Sequence, residues 1–567
     1  MSREQVRTEE GGQTKSRPNG SDRPATGAEV LDALANQEEP HKKRVSFGAA
    51  VRDITLVAGL LAGGTYFYYN HVVTKEQVAK IAREATDYLR KDDLPSLKKA
   101  EERYLKIIEL DDNNPAGLSA LSELYYYMYE HGLDTKAKSE DFLRKAQAEK
   151  AQTPEFLSAS AQLRIDAGKA SEVRDELKGL FEKGVYHAKL GHAYGEALLS
   201  LNNFLEANTA LKQASEGAFN EVRIPLALAE VALRQGEERR ASNFLNKALA
   251  KNLSPTHDVA LPMYAALLSK TQGDLIKAAT ELAEAQKIKD TMGPVGLAHL
   301  AWAQGEFNLA ISEFSAAQEK AEEAMKGRRD FAPYQSLLAR ALLAQGKRGD
   351  AIATYQAAIK LQPAYLAVNW ELATLLSEGG DDAALDIVAA IETSIPAESR
   401  TTEFELFRAE HYLRKGKLAE AEAAYKKAAE LGSDPEILIG LTKIVFEQEK
   451  PKDKKADIDK VTGSLEEALE AGDKRYRGNF PDGQILLAQI QLWNNMIDAA
   501  DQAYAKAEDQ LKRMKKPTSE VLKHYDLVIR DYTNAKDKEI AKKASELKEA
   551  WVKKRAEYVK SVRQQLE

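Results

Sequence analysis

Apolar and small residues recur every three or four positions along most of the chain, and the stretch around Gly346 shows this pattern most clearly. Leu338 and Leu342 precede the glycine at helical spacing, and Ala351 and Tyr355 follow it at the same spacing. A period of three to four residues indicates helices with one apolar face, and a glycine between two such runs indicates a tight turn. The pattern predicts two short antiparallel helices.

The same spacing occurs around other candidate turn residues. Relative to Gly346, Ala lies seven residues before the turn and five and twelve residues after it, and an aromatic residue or Leu lies nine residues after it. These offsets recur, fully or in part, around Asn202, Gly236, Gly273, Gly305, Gly416 and Asn495. From position 168 to position 416, successive turns are 32 to 41 residues apart. A repeated unit of this length predicts an array of helix pairs.

The repeated pattern resembles the tetratricopeptide repeat, a helix–turn–helix unit of about 34 residues. The resemblance covers about Lys75 to Lys516. It implies an all-α fold, with a right-handed α-solenoid of about 11 helix pairs over residues 74–516. Residues 517–567 are expected to form capping helices, because the end of a repeat array needs a polar outer face.

The first 45 residues carry too little apolar surface to form a core. Up to Pro40 the segment contains no aromatic residue and is rich in Gly, Ser, Arg, Glu and Pro. This composition predicts a disordered N-terminal tail over residues 1–45. The short apolar island Ala28–Leu34 has two interpretations: it docks a second, cytosolic partner, or it has local helicity and no ligand.

Residues 46–73 form the most apolar stretch of the chain. No charged residue occurs from Ile54 to Tyr69. The stretch is long enough to cross a bilayer core, and it ends in the aromatic cluster 66–69, which is typical of a membrane interface. It predicts one transmembrane helix. A cleaved signal peptide is the alternative interpretation, but it would need an unusually long leader.

The flanks of this stretch predict its orientation. Within about 15 residues, four basic residues precede it and three follow it, and this bias favours a cytoplasmic N-terminus. The solenoid would then be periplasmic, and the protein would lie in a bacterial inner membrane. On the same helix, Ala58, Gly59, Ala62 and Gly63 form a face of small residues. Such a face either packs against a second copy to form a homodimer or reflects the abundance of Gly and Ala in membrane helices.

Composition and short motifs provide no candidate for catalysis. The net charge of −7 does not suggest a nucleic-acid partner, and the lack of cysteine excludes disulfides and thiolate metal sites. The sequence contains no glycine-rich phosphate loop, no His-Glu-x-x-His zinc motif and no Gly-x-Ser-x-Gly elbow. We therefore expect no enzymatic activity, no cofactor and no metal.

The resemblance also implies where a partner binds. In tetratricopeptide-repeat proteins, the first helices of successive units line a concave groove, and side chains there that are not used in packing select the ligand. Aligned on the turn residues, the groove positions of this chain are Met263, Leu267, His299, Trp302, Ser336, Arg340, Asn369, Ala373, Leu406 and Glu410. An aromatic residue and a cation in this set suit a protein partner, although Trp302 could instead fill space between units. The Lys/Asn clamp with which some family members bind chaperone tails does not occur at these positions.

The leading functional hypothesis is a membrane-anchored interaction scaffold or adaptor. Its periplasmic solenoid would organise an envelope-spanning complex for secretion, motility or polysaccharide export. Two alternatives stay open: a periplasmic holdase or assembly chaperone, and an anchored receptor whose solenoid faces the cytosol. Stable stoichiometric partners would support the scaffold, whereas suppressed aggregation of unrelated proteins would support the holdase.

Overall fold

The fold is described from a computed structural model. It describes residues 47–564 except 69–72, 219, 251–252, 273–274, 328–330, 395–401, 433–434, 450–454, 476–479, 515–517 and 536–539. The predicted tail over residues 1–45, with its island Ala28–Leu34, lies outside the described residues. The chain divides into two compact units, residues 1–75 and residues 76–567.

The described residues form 27 α-helices. The first, α1 (Phe47–Tyr68), belongs to the first unit. From α2 onwards, even-numbered helices are the first members of successive antiparallel pairs and odd-numbered helices are the second members.

The first members are α2 (Thr74–Leu89), α4 (Pro115–Glu130), α6 (Pro154–Asp166), α8 (Ala188–Ser200), α10 (Arg223–Arg234), α12 (Ala260–Leu267), α14 (Pro294–Ala310), α16 (Ala332–Ala344), α18 (Leu366–Glu378), α20 (Glu403–Arg414), α22 (Pro435–Glu449), α24 (Pro481–Trp493) and α26 (Thr518–Asn534). The second members are α3 (Leu94–Leu110), α5 (Lys136–Ala148), α7 (Ala170–Glu182), α9 (Phe204–Gly217), α11 (Glu238–Ala248), α13 (Leu275–Lys287), α15 (Phe314–Gly327), α17 (Arg348–Leu361), α19 (Ala383–Ser394), α21 (Leu418–Leu431), α23 (Lys455–Arg475), α25 (Ile497–Arg513) and α27 (Ala541–Gln564).

Most of the described turns within a pair place one residue in the left-handed backbone conformation. These residues are Asp92, Gly132, Gly168, Asn202, Gly236, Ser312, Gly346, Gly380, Gly416 and Asn495. After Gly346, with φ of 80°, the N–H of Lys347 donates to the carbonyl of Leu342 at 2.9 Å. This hydrogen bond is the Schellman pattern, which satisfies a carbonyl at the C-terminus of the first helix. The predicted helix–turn–helix unit around Gly346 is therefore confirmed.

Small residues lie where the two helices of a pair approach each other. In the unit around Gly346, Ala339, Ala351 and Ala358 are completely buried, and Tyr355 is almost completely buried. The equivalent alanines around Gly236 and Gly416 are also completely buried. Because Ala fills little space, the helix backbones can pack closely along this seam. The offsets in the sequence thus correspond to the packing contacts of each pair.

One predicted turn is wrong. Gly305 lies inside α14, and the turn of that pair is at Ser312, with φ of 68°. Gly305 instead occupies the small-residue position seven residues before the turn, where a Cβ would lie 2.5 Å from Leu337. Small residues seven apart, such as Ala310 and Ala317, allowed the pattern to match one heptad too early. With Ser312 as the turn, the step to Gly346 is 34 residues instead of 41.

The second unit is a TPR-like, all-helical solenoid. Twelve helix pairs, α2/α3 to α24/α25, occupy the span predicted to hold about 11, and α26 and α27 follow as a terminal pair. From α4 onwards each first helix packs against its own second helix, and most first helices pack also against the first helix of the next pair. First helix α10 also contacts α18, four pairs further on, where Gly236 lies against Ala367. The solenoid therefore winds tightly enough for distant first helices to meet.

The expected membrane helix over residues 46–73 is only partly reproduced. Helix α1 spans 22 residues and ends at Tyr68. Within the described part of the chain, no helix has both the length and the hydropathy required to cross a bilayer. Arg52 and Asp53 lie in the second turn of α1, and its glycines and tyrosines lower its mean hydropathy further. The expectation of a transmembrane helix is therefore not supported.

The small-residue face lies on α1 as expected. The described part of the chain places no heavy atom within 4 Å of where a Cβ of Gly59 or Gly63 would be. Ala58 and Ala62 are exposed on the same helix. Pairing of this face with a second copy stays a prediction.

Close packing of α22 against α21 makes Gly440 a test of the fold. A Cβ at Gly440 would lie 2.0 Å from the Tyr425 ring, so we expect Gly440→Ala to lower the free energy of unfolding by about 1–3 kcal/mol. Gly463, within α23, is the matched control, because no heavy atom lies within 4 Å of its Cβ position. Gly463→Ala should raise stability by up to about 1 kcal/mol through helix propensity. Thermal and denaturant unfolding measure both changes, and equal effects of the two variants would contradict this packing.

Candidate functional site

The even-numbered helices line one face of the solenoid, here called the concave face, which has three sections. The middle section, on α12 to α18, contains most of the predicted groove residues. A pocket on α4 to α10 precedes it, and a groove on α20 to α26 follows it. The three sections differ in how far a partner can reach them.

The structure buries the predicted groove residues of the middle section. Met263, Leu267, His299, Trp302, Ser336, Asn369 and Ala373 are all at most 8% exposed. Leu406, on α20, is 5% exposed. These residues do lie on first helices, as predicted, but the inner face on which they lie is closed. Met263 and His299 also line the pocket that precedes this section, and the role of the predicted residues in binding a ligand stays a prediction.

Aromatic packing fills part of the closed section. Trp302 packs edge to face with Phe331 at 5.6 Å between ring centroids. The hydroxyl of Tyr334 hydrogen-bonds Nδ1 of His299 at 2.8 Å. Trp302 and His299 therefore join α14 to the start of α16. This supports the interpretation that Trp302 fills space between units.

Arg340 is bound inside the concave face by the preceding pair. Its guanidinium makes two hydrogen bonds to the Glu306 carboxylate, one at 3.0 Å. The indole N–H of Trp302 donates to the same carboxylate at 3.0 Å. Burial opposes the charge of Arg340, but Glu306 and Glu371 hold its pKa above the usual value. The cation that the sequence offered to a partner is thus used within the solenoid.

Lys270 connects first and second helices that are far apart in sequence. It lies in the π-helical turn Leu268–Gln272 that follows α12, and its Nζ lies 2.7 Å from Glu238 and 2.9 Å from Glu371. Glu371 also accepts a hydrogen bond from Ser336. Burial alone would raise the pKa of Glu371, but Lys270 and Arg340 lower it to about 2. Glu371 therefore stays ionised and ties α18 to α12 and α16.

Sequence reasoning missed Lys270, Glu238, Glu306 and Glu371. Glu306 follows Trp302 by one helical turn, and Glu371 follows Asn369 by two residues. Charged residues next to apolar positions on first helices were a usable signal for inner-face ion pairs. Which of these charged residues pair with each other could not be predicted, because Lys270 and Glu371 are 101 residues apart.

The following section is an open groove, here called the C-terminal groove. Its volume is about 800 Å³. The residues of first helices that line it are Glu410, Leu413, Arg414, Glu436, Ile439, Gly440, Lys443, Glu447, Asp482, Ile485, Leu486, Gln489, Leu527 and Arg530. Glu410 is thus the one predicted groove residue that the described structure places in this groove, where it forms an ion pair with Arg414 at 2.9 Å.

A second cavity continues the C-terminal groove. It has a volume of about 580 Å³, and it shares Glu447 and Gln489 with the groove. Phe446 and Trp493 line it and pack edge to face at 5.8 Å. The lining therefore combines apolar and aromatic surface with carboxylates and cations along four consecutive first helices.

The section that precedes the closed middle is a smaller pocket, here called the N-terminal pocket. It has a volume of about 450 Å³ and is lined mainly by α4, α8 and α10. Tyr126 and Tyr129 form an aromatic part of its wall, and Glu196 and Glu230 contribute carboxylates. Among the residues that the structure describes, no group of three potential ligands is arranged to hold a metal ion.

Comparison with known proteins does not assign this chain to a family. No protein-family model matches the chain, and no curated protein is significantly similar to it. Among solved structures, the Cut9–Hcn1 heterotetramer of the APC/C is 14% identical, with a TM-score of 0.41, over 86% of this chain and 96% of that chain. The human IFIT1 dimer with m7Gppp-AAAA is 15% identical, with a TM-score of 0.39, over 73% of this chain and 94% of that chain. A tetratricopeptide-repeat protein from Parabacteroides merdae is 15% identical, with a TM-score of 0.28, over 52% and 99% respectively. At these TM-scores the comparisons carry no argument about function.

Removing Lys270 tests the closure of the middle section. Lys270→Met leaves Glu238 and Glu371 without their shared cation, so we expect the free energy of unfolding to fall by about 3 kcal/mol at pH 7. Glu371 has a pKa lowered to about 2 from 4.5, so its contribution is complete above pH 4.5 and is lost as the pH falls towards 2. The difference between the wild type and the variant should shrink in that range.

The matched control for this variant is Lys426→Met. Lys426 pairs with Glu422 at 2.7 Å, but its side chain is 66% exposed. An exposed pair contributes little, so stability should be unchanged within error. Denaturant unfolding from pH 2 to pH 7 measures both variants. If Lys270→Met and Lys426→Met changed the free energy of unfolding equally over this pH range, that result would contradict closure of the middle section by the Lys270 ion pairs.

Proposed function

We propose that the protein is an interaction scaffold that binds a segment of a partner protein in the C-terminal groove. One observation carries this proposal: four consecutive first helices, α20, α22, α24 and α26, line an open groove of about 800 Å³. The corresponding face of α12 to α18 is occupied by the aromatic and ionic contacts of the chain itself. Partner binding therefore belongs to the C-terminal part of the concave face.

The lining of the C-terminal groove suits a polypeptide segment with both apolar and charged side chains. Ile439 and Ile485 are partly exposed on α22 and α24, and Lys443 and Asp482 are exposed on the same helices. Apolar contacts supply affinity, whereas charges of both signs fix the register and exclude wrong partners. Gly440 has no side chain, so the Tyr425 ring packs directly against the backbone of α22, and both residues line the groove.

This arrangement favours a selective scaffold over a holdase. A holdase grips many unfolded clients and needs a broad exposed apolar surface. The C-terminal groove instead has carboxylates and cations along its whole length, and Glu410 is already paired with Arg414. A partner with complementary charges is therefore the favoured occupant.

The cellular placement rests on the sequence alone. Anchoring in a bacterial inner membrane, a periplasmic solenoid and a role in an envelope-spanning complex stay predictions. They depend on the composition and charge bias of the first 83 residues and on the repeat architecture. The cytosol-facing receptor stays the alternative for the same reason.

Site-specific cross-linking tests the C-terminal groove. A photo-reactive p-benzoylphenylalanine at Lys443 or Gln489, both lining the groove, should cross-link to the same protein in the native cell. The matched control is Lys427, an exposed residue of α21 that does not line the groove. Mass spectrometry identifies the adduct at each position.

Binding of the identified partner then decides between specific and incidental contact. Ile439→Glu places a charge in the apolar part of the groove and should weaken binding at least about tenfold, the equivalent of about 1.4 kcal/mol. Lys427→Glu should leave affinity unchanged. Cross-links that are equally strong at Lys427, or full affinity of Ile439→Glu, would contradict the proposed site.

A further inference from the structure

The first two helix pairs dock on pairs that follow much later in the chain. The backbone N–H of Val222, just before α10, donates to the carbonyl of Arg90 at 3.2 Å. The backbone N–H of Val295, in α14, donates to the carbonyl of His131 at 3.2 Å. These contacts close the first turn of the solenoid, because they join α2 to α5 with α10 to α14.

A buried ionic cluster lies at this junction. Arg223, at the start of α10, pairs with Asp92 at 2.8 Å and also with Glu130 at the end of α4. His131 lies between two carboxylates, with Nδ1 3.3 Å from Asp258 and Nε2 3.7 Å from Asp92. The side chains of Asp92, His131 and Asp258 are at most 4% exposed, and that of Arg223 is 14% exposed.

His257 completes the cluster from the N-terminal end of α12. Its Nδ1 accepts hydrogen bonds from the backbone N–H groups of Val259 and Ala260. Nε2 lies 3.8 Å from Asp92. Asp92, His131, Arg223, His257 and Asp258 are together called the latch. Four of these residues, Asp258 being the exception, also line the N-terminal pocket, so the latch forms one wall of that pocket.

We propose that the latch is a pH-responsive closure of the first solenoid turn, tight at mildly acidic pH and looser at alkaline pH, which controls access to the N-terminal pocket. Three features of the geometry support this. A titratable histidine lies at the centre of the contact, one of its two carboxylate partners, Asp258, comes from the other side of the junction, and the histidine also lines the pocket. Few other side chains can change charge near neutral pH.

The direction of the pH response follows from His131. Burial opposes its charge, but Asp258 and Asp92 raise its pKa from 6.5 to about 10 in the closed state. The stabilisation is therefore complete below pH 6.5, the ordinary pKa of a histidine, and is lost as the pH rises towards 10. Asp92 and Asp258 have lowered pKa values, so their contributions are lost only at strongly acidic pH.

Titratable groups on neighbouring helices either also favour opening as the pH rises or keep the same charge throughout the relevant pH range. Burial, reinforced by Glu130, raises the pKa of Glu196 on α8 to about 7. Ionisation of Glu196 near neutral pH therefore adds negative charge beside Glu130 and Glu230 and favours opening. Burial and Arg223 lower the pKa of His192 to about 3, so this histidine is neutral throughout the relevant range. The charged and titratable groups that face His131 are Asp92, Glu130, His192, Glu196, Arg223, His257 and Asp258.

Distance measurements on the full-length chain test the latch. The chain has no native cysteine, so Lys138→Cys and Thr291→Cys place two spin labels, one on each side of the junction. Double electron–electron resonance should show one short distance at pH 6 and a second, longer distance at pH 8.5. Because Asp92 stays beside His131 on opening, the opening constant should rise by less than the roughly 50-fold that loss of both carboxylates would give over this interval.

Two controls separate the latch from general loosening. Labels at Lys138→Cys and Lys178→Cys, both before the junction, should show a distance that does not change with pH. In His131→Gln, which cannot carry the charge, the longer distance should be present at pH 6 and should respond less to pH. An unchanged distribution in the otherwise wild-type chain overturns the proposal even if the variant fails to fold. An unaltered pH response in folded His131→Gln also overturns it.

Discussion

Charged side chains that lie inside the concave face must be paired, and this requirement determines the shape of the solenoid. An isolated charge is costly to remove from water, so the largely buried cations of the middle section have carboxylate partners. Lys270 reaches Glu238 and Glu371, and Arg340 reaches Glu306. Because Lys270 and Glu371 belong to units three pairs apart, their pairing requires the first helices to converge. A wider superhelix would leave these charges without partners.

Closure of the middle section divides the concave face into a buried interior and two sections that are more open. The middle is an interior, where Trp302, His299 and Tyr334 pack as they would in a globular core. The C-terminal part lies beyond the α10–α18 contact and keeps its first helices open. The N-terminal part is open only as far as the latch permits. A repeat protein can thus combine stability and recognition by assigning them to different units.

The local parts of this fold could be predicted from the sequence, because the repeat signal is local. The distances between Ala339, Gly346, Ala351 and Tyr355 report how two neighbouring helices pack, and no distant residue is needed. The prediction failed at Gly305 for an equally local reason. Ser312 adopts the left-handed turn conformation without being Gly or Asn, and a heptad shift produced a second, false match.

The candidate site could be predicted only in part. The predicted residues do lie on first helices, and Glu410 lies in the C-terminal groove. Whether an inner position is open or buried depends, however, on how many units complete a turn. That number is set by contacts such as Arg223 with Asp92, which are 131 residues apart. A 34-residue pattern contains no information about such pairs, so it could not distinguish Met263 from Glu410.

Solvent accessibility along the concave face tests the closure most directly. Met263 and Trp302 are buried on closed first helices, whereas Met496 is 53% exposed and Trp493 lines an open cavity. Hydroxyl-radical footprinting with mass spectrometry compares the oxidation rate within each chemically matched pair. A closed middle section predicts much slower oxidation of Met263 than of Met496, and of Trp302 than of Trp493, in the native protein. Equal rates within each pair would show an open concave face and would contradict the closure of the solenoid by its own ion pairs.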